Sequence, residues 1–185
     1  MRTIPGMTIL NPADDTETKL AIKAALELDG PVYIRLGRLA VPVVFDDTYK
    51  FEIGKGATLK EGNDATIIAT GLMVAEALEA YELLKAEGIN ARVINIATIK
   101  PLDTEIVLKA AKETGVIVTA EEHSVIGGLG SAVSEYLSEN YPTPVLKVGV
   151  NDTFGSSGPA AELLDKYGLR AKDIVKKVKE AIALK

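Results

Sequence analysis

The chain has 185 residues, 47% hydrophobic and 25% charged, which supplies a real core and excludes a largely disordered chain. Twenty-one Lys and Arg face 26 Asp and Glu, a formal charge of −5, and this argues against nucleic acid, whose binding runs on a basic face. No cysteine and one histidine, His123, exclude disulfides, thiolate chemistry and multi-histidine zinc sites.

No apolar run approaches the ~20 residues that span a bilayer. The start MRTIPGMTIL sets Pro5 and Gly6 inside its apolar stretch, a poor secretory leader, so the expected location is cytoplasmic, with neither membrane nor nucleic acid as partner.

Apolar β-branched runs alternate with amphipathic helical stretches almost to the end, a rhythm of α/β architecture. The first unit is a strand from Met7 to Leu10, a helix from about Asp14 and a strand from Pro31 to Leu36. Asp14 is placed to accept from the free N–H groups of the helix, with Glu17 three residues on. Two strands and one helix make no core, so residues 1–38 read as the tail of another α/β domain. Residues 39–64 carry Pro42, Gly54, Gly56 and Gly62 without a helical period, and read as a linker with a β-hairpin or edge strand.

From Ala65 the alternation is regular. A strand to Thr70 precedes a helix over Met73–Glu87. The strand Ala91–Ile96 leads to Lys100-Pro101 and a helix capped by Asp103 and stopped by Gly115. The strand Val116–Ala120 runs into a turn at Glu121-Glu122-His123, then a glycine turn and a helix through Val133 and Leu137. The strand Val145–Val150 precedes a Gly/Ser turn, a short helix opened by Pro159, and a last helix with Ile174, Val178 and Ile182 at i, i+4 spacing. Strands joined by helical crossovers are parallel and right-handed. Residues 65–185 therefore read as a doubly wound, mostly parallel sheet with helices on both faces, preceded by the partial βαβ unit.

In such sheets ligands gather beyond the carboxyl ends of the strands. Gly128-Leu129-Gly130 follows a strand and opens a helix, but Val133 stands where the dinucleotide fingerprint wants a small residue. Glu121, Glu122 and His123 are the densest titratable cluster. Three readings stay open there: acid–base work, a ligand or assembly contact, and structural service, by capping a neighbouring helix or pairing with a lysine. Arg38 follows Gly37 at the end of the strand PVYIRLGR, where a guanidinium can hold a phosphate or carboxylate bidentately, or sit in a surface salt bridge.

The run IPGMTILNPADDTETKLAIKAALELDGPVYIRLGR resembles the end of the pyrimidine-binding domain of transketolases. The stretches VINIATIKPLD, VTAEEHSVIGGLGSAVSEYL and VGVNDTFGSSG are similar to their C-terminal domain. The order and spacing fit the thiamine-diphosphate ketol-transferase group, including 1-deoxyxylulose-5-phosphate synthase and the β subunits of 2-oxoacid dehydrogenases. NPADDTET and IRLGRLAVP favour transketolase.

The resemblance implies a parent enzyme that uses thiamine diphosphate and a divalent metal such as Mg to move two-carbon ketol units between sugar phosphates. In the family the metal motif, the pyrimidine-activating glutamate and the active-site histidines lie upstream of IPGM, so this chain alone is expected to bind neither cofactor nor metal and to be inactive. The resemblance puts Arg38 on a substrate-phosphate position and His123 away from the reacting ring. It gives the C-terminal domain a dimer and architectural role. The expected partners are a second copy, the missing N-terminal part or subunit, and a sugar phosphate, with Met1 marking a cut. The alternative is a free-standing interaction or regulatory module.

Overall fold

Four short, β-branched strands with helices between them can bury both faces only by lying parallel in one sheet, and they do so. The computed structural model describes residues 1–185. In order the elements are β1 Thr8–Leu10, α1 Asp15–Glu27, β2 Val32–Ile34, β3 Ala57–Lys60, β4 Ala65–Ala69, α2 Met73–Ala86, β5 Ala91–Asn95, β6 Thr98–Lys100, α3 Thr104–Thr114, β7 Ile117–Ser124, α4 Leu129–Asn140, β8 Val145–Val150, α5 Ala160–Lys166 and α6 Ala171–Ile182. The main sheet has the order β3-β5-β4-β7-β8; β5, β4, β7 and β8 are parallel.

Period-2 alternation sorts the strands' side chains onto two cores. Ile67, Val93 and Val118 pack on one face against Met73, Ala77 and Leu84 of α2 and Ile174 and Val178 of α6. Ile68, Ile94 and Ile117 pack on the other against Val107 and Ala111 of α3 and Leu129, Val133 and Leu137 of α4. Each large side chain fully buried this way is worth about 1.5–3 kcal/mol over its exposed state. The expected punctuation is present: Asp14 accepts from Glu17 N–H at 2.8 Å, Asp103 accepts from Ile106 N–H at 3.2 Å, and Gly115 ends α3 in the left-handed region at φ 71°.

Locally the structure selects among, changes or adds to the expectations in four places. Of the hairpin or edge strand expected in residues 39–64, it has one edge strand, β3, antiparallel to the distant β5. Between β2 and β3 the chain has no helix or strand and packs through Phe45 and Tyr49, whose rings stack at 3.8 Å. The three-residue β6, unread in the sequence, runs antiparallel to β1 and completes a second sheet, β2-β1-β6. Glu121-Glu122-His123 is not a turn but the last part of β7, which pairs with β8 as far as Ser124. Pro159 is the N-cap of α5, not its first residue.

The chain leaves β4 through α2 on one face and β7 through α4 on the other. Where neighbouring strands diverge like this, a crevice opens beyond their carboxyl ends. Here the end of β1 enters it. The carbonyl oxygen of Asn11 accepts from Gly71 N–H at 3.2 Å and from the Thr70 hydroxyl at 3.1 Å. Gly71 is at φ +57°, and a Cβ there would lie 2.7 Å from Asn11 Oδ1, so the close approach needs glycine.

Candidate functional site

The pairing of β7 with β8 shifts register between Ala120 and Ser124, an irregularity of the kind that re-aims side chains at strand ends. Glu121 turns inward and is 1% exposed. Its Oε2 accepts from Leu129 N–H and its Oε1 from Gly130 N–H, both at 2.8 Å. The carboxylate thus satisfies two orphan amides at the positive end of α4. A Cβ on Gly128 would sit 1.8 Å from Glu121 Oε2. The Gly128-Leu129-Gly130 run therefore brings the helix down onto a protein carboxylate, and the place a nucleotide phosphate would take is filled.

Glu122 and His123 face elsewhere. With Arg35 and Arg38 from the end of β2 they line a cleft of about 720 Å³ whose far wall includes Leu163, Leu164 and Tyr167. Arg35 Nη2 donates to the Glu122 carbonyl oxygen at 2.7 Å, and His123 Nδ1 lies 3.1 Å from the Ser124 carbonyl oxygen. Arg38 is exposed on this cleft. Neither Arg35 nor Arg38 has a carboxylate within 4.0 Å, whereas Arg2, Arg92 and Arg170 are all paired. The fold thus gathers Arg38, Glu122 and His123 and leaves Glu121 out. It adds Arg35, a site residue that the strand-end reasoning misses; the alternation that puts Tyr33 and Arg35 on one face of β2 is the available sign.

A second titratable cluster holds the βαβ unit to the main domain. Glu17, 0% exposed, accepts from Ala13 N–H, the Tyr49 hydroxyl and Asn95 Nδ2, each at 2.7 Å. Burial pushes its carboxyl above the usual range, against the pull of these donors. Burial, and then the charge of Glu17, pushes the Tyr49 phenol up as well. Asp14 accepts from Val44 and Phe45 N–H at 2.7 and 2.8 Å.

Thiamine diphosphate with its metal needs clustered acidic or imidazole ligands and free amides for phosphate. No group of three His, Cys, Asp or Glu side chains is arranged to hold a metal ion, and two of the N-terminal amides of α4 are taken by Glu121. The residues of this chain do not fit that group, and no chemical step is derived through it. No helix is long and apolar enough to cross a membrane.

A doubly wound domain with a βαβ unit plugged into its crevice defines a docked, two-part α/β protein rather than a free nucleotide-binding fold. The chain belongs to the transketolase family: residues 54–174 match the model described as "Transketolase, C-terminal domain". It is 51% identical, over 97% of its length and 56% of the relative's, to the 6-deoxy-6-sulfo-D-fructose transketolase subunit SqwH of Clostridium sp. (strain MSTE9). It is 45% identical, over 98% of its length and 58% of the relative's, to an apulose-4-phosphate transketolase subunit of Phocaeicola vulgatus. A solved structure described as "Split gene transketolase, inactive beta4 tetramer" superposes with a TM-score of 0.95 at 56% identity, covering all of this chain and 60% of that one. The chain thus spans a little over half the length of each of these three relatives.

Proposed function

We propose that this chain is the C-terminal part of a transketolase in which a separate N-terminal chain supplies the thiamine diphosphate and metal site, and that the assembled enzyme transfers two-carbon ketol units between sugar phosphates. Relatives named as transketolase subunits support the division into chains, and the description of a solved relative as a β4 tetramer supports self-association of the chain.

The observation that carries the substrate reading is Arg38, an exposed guanidinium without a carboxylate partner at the end of β2, on the cleft beside Arg35 and His123. In this reading Arg38 takes the substrate's phosphate by paired N–H donors and orients the sugar; the covalent chemistry belongs to the cofactor. Charge-assisted hydrogen bonds of this kind set the scale of its loss. In the enzyme reconstituted with its N-terminal partner, thiamine diphosphate and Mg²⁺, Arg38→Met is expected to raise KM for a phosphorylated acceptor about 10- to 100-fold. The rate with an unphosphorylated sugar should stay put. Turnover by this chain alone with cofactor, Mg²⁺ and sugars would overturn the split-enzyme reading, and an unchanged KM would overturn the role of Arg38.

A further inference from the structure

Beyond the cleft lies a smaller, partly open chamber of about 110 Å³, where β1, β2 and β6 meet the end of β7 and the turn before α4. Its polar lining is short of partners. Asn11 lines the chamber, and its side-chain amide makes no hydrogen bond to any protein group. The Tyr33 hydroxyl makes none either. Arg35 spends one N–H on the Glu122 carbonyl oxygen and has no carboxylate, and His123 Nε2 is unbonded.

The two other charged groups in the wall are already spent. Arg2 donates to Glu135 at 2.8 and 2.5 Å and to the Gly127 carbonyl oxygen at 3.0 Å, and Glu121 faces the α4 amides. The open valences are therefore donors around one unneutralised guanidinium. At about 110 Å³ the chamber has room for one tetrahedral oxoanion.

The structure assigns this chamber as a second oxoanion site, held by Arg35, Asn11, Tyr33 and His123 and distinct from the substrate-phosphate position at Arg38. It takes a phosphate-class anion, either free or as the end group of a small phosphate ester. The assignment does not rest on the transketolase reading.

His123 is the only histidine, so in the full chain its imidazole gives one set of NMR resonances that reports on the chamber. Inorganic phosphate, titrated against chloride at matched ionic strength, should shift them saturably. Asn11 and Tyr33 line only the chamber, whereas Arg38 lines only the cleft. Tyr33→Phe, which removes an unbonded hydroxyl and leaves the fold alone, should weaken the response several-fold, and Asn11→Leu about tenfold. Because His123 also lines the cleft, Arg38→Met removes any share of the response that comes from phosphate there and should leave the share sensitive to Tyr33→Phe. Glycerol phosphate in place of inorganic phosphate separates the two sources, and a response to either supports the site. No saturable shift with phosphate or the ester, or a shift abolished by Arg38→Met and untouched by Tyr33→Phe, overturns it. The second of these would still leave the Arg38 reading standing.

Discussion

Glu121 and Gly128 work as a pair: the carboxylate caps α4 only because the residue beside it has no Cβ. Gly128→Ala puts a methyl 1.8 Å from Glu121 Oε2, so the carboxylate must leave its two amides or the helix must rise. Overpacking and a lost cap each cost a few kcal/mol. Gly128→Ala should therefore lower stability by about 2–3 kcal/mol in urea unfolding, while Gly155→Ala, with nothing within 4 Å, should be near neutral. Glu17 carries the pH prediction. Its folded pKa is raised by burial, so the native state holds the proton more tightly than the unfolded chain. Its favourable contribution is full below the ordinary carboxylate pKa and is lost as pH rises through the raised value. Stability measured against Glu17→Gln, which keeps the shape but cannot ionise, should fall with rising pH across that window and then level off.

Elements are legible in the sequence where their evidence is local. The caps at Asp14 and Asp103, the stop at Gly115 and the stripes of α2 and α6 lie within one or two turns of the residues they serve. Asp103 shows how far a cap reaches: it accepts from Ile106 N–H and also from Gly56 N–H at 2.9 Å, so it fixes α3 and the approach to β3 together. Asp103→Ala should cost about 2 kcal/mol by chemical denaturation, more than the ~1 kcal/mol typical of a lost cap; a loss of about 1 kcal/mol or less would mean that the Gly56 contact carries nothing. The strand β6 leaves no local sign because three residues before a proline have no period, and what makes them a strand is β1. The end of β7 reads as a turn because three consecutive polar residues look like one; the shifted pairing with β8 keeps them extended. Of the candidate site, Arg38, Glu122 and His123 are readable as strand-end groups. Their meeting with Arg35 in one cleft, and the withdrawal of Glu121 into a cap, depend on how two sheets pack, which no single segment encodes.

At the scale of the molecule, the two sheets are joined through the segment that separates β5 from α3: β6 leaves the main domain, pairs with β1, and the chain then returns as α3. The first unit thus has its closing strand far down the chain, with Ile9 opposite Lys100, about ninety residues later. Synthesis runs from the N-terminus at about 5–20 residues per second, so roughly 5–20 s pass between the two strands leaving the ribosome. Through that interval β1 has at most β2 beside it, with one edge bare, and for about the first two thirds of it Asn11 also lacks its Thr70 and Gly71 partners. Until residue 100 has emerged, the bare edge of β1 is open to pairing with other chains.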